Sequence, residues 1–111
     1  MEAIVRLEMV IDDTRHPVDF VVDTGFSGYL SVSERLVRQL SLRQTGTEKG
    51  ITADGRSNTF PTFGVQVMWD GQIQSVSAPL FEAPMIGTRM MLDYELRAIW
   101  IPTREVIIHR V

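Results

Sequence analysis

From Ala3 to Ile11 the chain alternates without a break: Ala3, Val5, Leu7, Met9 and Ile11 fall on one side, Ile4, Arg6, Glu8 and Val10 on the other. A period of two sets one face of an extended segment against a core and leaves the other to solvent, so this segment is a strand. Asp12-Asp13-Thr14 supplies turn chemistry, and the alternation resumes from His16 to Asp23 with Val18, Phe20 and Val22 on the inner side. The two runs predict a hairpin ending at Asp23. Further along, Asp54-Gly55 and Asp70-Gly71 are dipeptides favoured in two-residue hairpin turns, whose central residues both take positive φ. They predict that Gln44 to Ala53 pairs with Arg56 to Phe63, and Val65 to Trp69 with Gln72 to Phe81. The first of these hairpins is notably polar and is therefore expected to project into solvent. Leu96 to Ile101 and Glu105 to Val111 read as closing strands separated by Pro102. Helical spacing is confined to two short stretches. Ser33 is an N-cap for a helix through Leu40, and Met90, Met91, Leu92 and Tyr94 suggest a second helix within Thr88 to Glu95. The expected class is all-β, in one domain spanning residues 1 to 111.

Composition excludes several alternatives. At 111 residues, 44% hydrophobic and 23% charged, the chain has the usage of one ordinary globular domain. Without cysteine there is no disulfide framework, no thiolate zinc site and no thiol nucleophile, and a reducing cytoplasm is the expected compartment. The net charge is −3, and ten arginines and the single Lys49 are scattered along the chain, so no basic stripe exists for nucleic acid. Met1 to Arg6 alternates instead of showing a basic then apolar leader. No apolar run reaches membrane-spanning length, so the expectation is a soluble, unprocessed chain with no membrane partner.

Chemistry points to one place. Asp23 closes an apolar strand and opens the glycine-containing loop Thr24-Gly25-Phe26-Ser27-Gly28, where backbone amides and the Thr24 hydroxyl are positioned to hold its carboxylate. A lone carboxylate in such a place is usually structural, and the order of elements around it alters that judgement. Val21-Val22-Asp23-Thr24-Gly25-Phe26-Ser27-Gly28 resembles the active-site loop of retropepsin-like aspartic peptidases. Met85-Ile86-Gly87 followed by Met90-Met91-Leu92 resembles that family's second signature, and Thr52-Ala53-Asp54-Gly55 looks like the tip of its flap hairpin. The three features occur in the family's order, and the form with Phe-Ser-Gly after the triad looks most like the small single-domain bacterial members. Two positions differ from retroviral relatives: Ser27 stands where they carry an acidic residue, and Gly87-Thr88-Arg89 where they carry Gly-Arg-Asn, so the ion pair linking those positions is missing or rewired.

The resemblance implies a retropepsin-like closed barrel with one or two short helices, and an activity. Aspartic peptidases hydrolyse peptide bonds with two carboxylates that share one proton, since like charges so close cannot both ionise. This chain has one Asp-Thr-Gly and no second, and Asp12, Asp13, Asp19, Asp54, Asp70 and Asp93 fall in turns, on exposed faces or in the last helix. The resemblance therefore implies an obligate homodimer in which each subunit contributes Asp23, Thr24 braces the loops across the two-fold axis, and Gly25 permits close approach. Its partners would be a second copy and a peptide or protein substrate, with apolar side chains favoured around the scissile bond and no metal or cofactor. Val106-Ile107-Ile108 and the first strand are the expected dimer surface. A second reading is a catalytically silent retropepsin-fold module for dimerisation or peptide binding.

Rival sites are weaker. Gly25-Phe26-Ser27-Gly28-Tyr29 approaches a Gly-x-Ser-x-Gly elbow, but its second glycine comes one position early and the α/β alternation that elbow needs is missing. His16 and His109 are too far apart in sequence for a zinc motif, and Met85, Met90 and Met91 read as core filler.

Overall fold

The structure, a computed structural model, describes residues 2–51, 54–99 and 105–111. Its elements in chain order are β1 (Ile4–Ile11), β2 (Thr14–Val22), β3 (Leu30–Ser31), α1 (Glu34–Leu40), β4 (Gln44–Ile51), β5 (Ser57–Trp69), β6 (Gln72–Pro79), β7 (Met85–Ile86), β8 (Tyr94–Ile99) and β9 (Glu105–Arg110). β1 and β2 form the expected hairpin, in register from Ile4 opposite Val21 to Ile11 opposite Thr14. Asp12 and Asp13 both take positive φ, 48° and 63°, as a two-residue turn requires. Met9 and Phe20 are fully buried on the inner face. On the outer face the cross-strand neighbours Arg6 and Asp19 pair at 2.8 Å; this hydrogen bond lowers the Asp19 pKa and raises that of Arg6.

β5 organises the rest. Its outer half pairs with β4, its inner half with β6, and at Val67 it meets Met9 of β1. Phe63, Val65, Val67 and Trp69 alternate into the core while Gly64 and Gln66 stay outside. The Asp70-Gly71 turn is as expected, with φ of 51° and 76°. The other turn differs from expectation. Only Gly55 of its pair has positive φ (82°), and the last rung joins Ile51 to Ser57, so Arg56 is not paired in the ladder as expected. There the Asp54 carboxylate accepts from the Arg56 N–H at 3.0 Å. Thr52 and Ala53 lie outside the described residues.

α1 begins at Ser33, whose hydroxyl accepts from the Leu36 N–H at 3.2 Å, and ends at Ser41 in the left-handed conformation. Leu36 is buried, and Val37 and Leu40 pack against the core. The second expected helix is replaced by turns over residues 88–93. Met91 N–H bonds to Thr88 O and Tyr94 N–H to Met91 O, and Asp93 at φ 67° turns the chain into β8.

The sheet does not close into the expected barrel. Its hydrogen-bonded path runs β3-β7-β2-β1-β5-β4, with β6 on β5. Between β3 and the end of β6 there is one parallel bridge, Val32 with Leu80, because β3 is two residues long and passes directly into the Ser33 cap. β8 and β9 pair with each other as a separate two-stranded ribbon instead of closing the sheet. Tyr94 packs edge-on against Trp69 at 5.2 Å, and the Asp70 carboxylate accepts from both the Tyr94 hydroxyl and Arg110 Nε at 3.1 Å. Those contacts moor the ribbon to the β5–β6 turn.

Candidate active site

Asp23 is held by a crossing of three strands. The apolar Met85-Ile86 pair inserts β7 between β2 and β3, parallel to the first (Val22 opposite Ile86) and antiparallel to the second (Leu30 opposite Ile86). Ile86 is fully buried there, and the buried Ser31 hydroxyl donates to Ala83 O at 2.8 Å and accepts from Met85 N–H at 3.0 Å, leaving no lone polar group in the joint. The backbone N–H of Asp23 donates to Ile86 O at 3.0 Å, which fixes the residue at the mouth of β2. Its half-buried carboxylate accepts from the Gly25 N–H at 2.8 Å, and its carbonyl accepts from Phe26 N–H at 3.1 Å, closing the turn.

Residues 87–89 clamp that loop. Gly87, Thr88 and Arg89 each donate a backbone N–H to it, to Tyr29 O (2.9 Å), Phe26 O (2.8 Å) and Gly28 O (3.1 Å). The approach is so close that a Cβ on Gly87 would lie 2.2 Å from Gly28 O and 2.7 Å from Phe26 O. Glycine is obligatory at that position on steric grounds, without any need for positive φ.

Beside the loop runs an open groove of about 680 Å³, lined by Asp23 and Gly25, by Tyr29 and Arg89, and by Gly50 and Ile51 at the end of β4. The outer β4–β5 ribbon is exposed along β4, with Ile51 80% exposed at its end, as the polar composition predicts. A chain of edge-to-face rings, Phe60 to Phe81 at 5.0 Å and Phe81 to Phe26 at 5.3 Å, links its base to the Asp23 loop. A cavity of similar size between β2 and α1 is lined by His16, Asp19 and Arg35 among others, and there Asp19 is paired with Arg6. No group of three or more His, Asp or Glu side chains among the described residues could hold a metal ion.

The structure thus brings together Asp23, Gly25, Ile86 and Gly87. Thr24 is exposed beside Asp23, and among the described residues its hydroxyl makes no hydrogen bond. Asp54 and Gly55 sit in the exposed distal loop and do not line the groove; the β4 residues Glu48 to Ile51 do. Sequence reasoning missed Phe60 and Phe81, whose isolated aromatic positions carry no pattern, and Tyr29 and Arg89 as wall residues. The spacing of Arg89, two after an apolar-apolar-Gly, was the available signal for the last.

A comparison with solved structures finds EIAV protease complexed with the inhibitor HBY-793, at a TM-score of 0.57 and 15% identity, covering 84% of this chain and 88% of that one. The fold is retropepsin-like. At this identity the likeness concerns architecture alone, and it extends across most of both chains. No protein-family model matches the sequence, and no curated protein does. Among the described residues no helix is long and apolar enough to cross a membrane.

Proposed function

We propose that the chain is one half of a homodimeric aspartic endopeptidase. The observation that carries this reading is a single half-buried carboxylate, Asp23, fixed by a backbone N–H in the lining of an open groove that an exposed β-ribbon also lines. Two copies related by a two-fold axis through the Asp23 loops would set two carboxylates side by side, one ionised and one protonated. The ionised Asp23 takes a proton from a water, whose oxygen attacks the peptide carbonyl carbon. The protonated Asp23 donates to the carbonyl oxygen, and collapse of the tetrahedral intermediate returns a proton to the leaving nitrogen. Thr24, with its hydroxyl unspent among the described residues, supplies a hydrogen-bonding group near the axis, and Gly25 leaves room for the loops to approach. The β4–β5 ribbon serves as the flap, closing over an extended peptide whose main chain pairs with it.

Digestion of a peptide library by wild type and Asp23→Asn in parallel tests this. Wild type cleaves, and the variant loses roughly 10³-fold or more of that rate while keeping its fold and its dimer mass, because an amide cannot act as the base. Binding of peptides by wild type with no cleavage from acidic to neutral pH would establish the silent binding module instead.

A further inference from the structure

The groove wall contains a cation with no anion. Among the described residues Arg6, Arg15, Arg38, Arg56, Arg97 and Arg110 each have a carboxylate within ion-pair distance, whereas Arg35, Arg43 and Arg89 have none, and of these three only Arg89 lines the groove, which Asp23 and Glu48 also line. Its guanidinium instead lies over the Tyr29 ring, 5.1 Å from the centroid. Stacking of this kind engages the flat face of the guanidinium and leaves the N–H donors at its rim for a planar acceptor.

The chain itself shows the completed form of this arrangement. Arg110 lies over the Tyr94 ring at 5.2 Å and at the same time pairs with the Asp70 carboxylate at 3.0 Å. Arg89 on Tyr29 repeats the ring and the cation, with an open groove where the carboxylate would be. Its backbone is fixed by the bond to Gly28 O, so the side chain starts from a rigid base. Lys49 of β4 also lines the groove and has no ion-pair partner among the described residues, so the groove's two cations balance Asp23 and Glu48 in formal charge without pairing with either.

We propose that Arg89 and Tyr29 form a subsite for a side-chain carboxylate, so that the peptide taken by the groove carries Asp or Glu at one fixed position from the scissile bond. This rests on the endopeptidase reading for the word scissile, and on the groove alone for the binding. The site is exposed, so the preference is moderate, about tenfold for Glu over Gln, and it shrinks as salt rises.

The experiment uses C-terminally amidated peptides, so that side chains supply every carboxylate. A library is screened both for cleavage by wild type and for binding to Asp23→Asn, and matched Glu and Gln versions of the best peptides are then compared on wild type, Arg89→Gln and Arg89→Lys. The proposal expects Glu to exceed Gln by about tenfold in kcat/KM or in affinity, a ratio near one for Arg89→Gln, and partial retention for Arg89→Lys. A wild-type ratio near one, or a ratio that survives in Arg89→Gln, overturns it while leaving the dyad reading in place. Glu-selective binding by Asp23→Asn with no cleavage by wild type upholds the subsite and overturns the dyad. A protein that neither cleaves nor binds any member overturns both.

Discussion

Gly87 is the residue on which the Asp23 loop depends most directly. A methyl group there would meet two backbone carbonyl oxygens, neither of which can swing aside as a side chain can. Gly87→Ala is therefore expected to cost about 3 kcal/mol or more in urea denaturation, in the range of severe overpacking, and to abolish any activity of the groove. Gly71→Ala is the control: open space surrounds it, and only its φ of 76° is strained, so about 1 kcal/mol should be lost. Equal losses in the two variants would show that the joint is looser than described. At this scale the sequence was partly readable. Asp-Thr-Gly marked the loop and apolar-apolar-Gly marked its clamp, but the reason Gly87 must be glycine lies in carbonyls about sixty positions away, which no local pattern encodes.

Among the elements, the strands were legible and their partners were less so. Alternation in β1, β2 and the inner half of β5 is strong because one face of each meets the core. β7 carries no such signal: two residues cannot show a period, yet this strand positions Asp23. The stretch 88–93 misled for a related reason, since Met90 and Met91 have helical spacing but the chain reverses at Asp93 after bonds of the i to i+3 kind. The β8–β9 ribbon is attached to the main sheet through the Tyr94, Asp70 and Arg110 cluster and the Trp69 contact. The hydrogen bond to Asp70 raises the Arg110 pKa. Asp70→Asn should speed amide hydrogen exchange in Tyr94–Ile99 and Glu105–Arg110 while leaving the β1–β2 hairpin protected. Uniform acceleration across both regions would mean that the ribbon and the sheet open as one unit.

Considered whole, the chain exposes more surface than a self-sufficient monomer of its size. Its accessible area is 7463 Å², against about 6,200 Å² for a folded chain of this mass. Exposed apolar side chains contribute to the difference: Ile4, Ile51, Leu92, Leu96 and Ile107 are all more than a third exposed. A stable dimer buries about 800 Å² per protomer, which this surplus accommodates. The thermal midpoint should therefore rise with protein concentration, and sedimentation at micromolar concentration should give twice the chain mass. A midpoint independent of concentration together with monomer mass would remove the basis for a shared dyad.

The bonds from Gly87, Thr88 and Arg89 to the carbonyls of residues 26–29 also govern timing. During synthesis the Asp-Thr-Gly loop is made early, but three of the donors that order it belong to a segment near the other end of the chain. Contacts of such sequence separation form late, after the entropy of closing a long loop has been overcome. The loop proposed to carry out hydrolysis thus stays unassembled until residues 87–89 have been made and have docked on it.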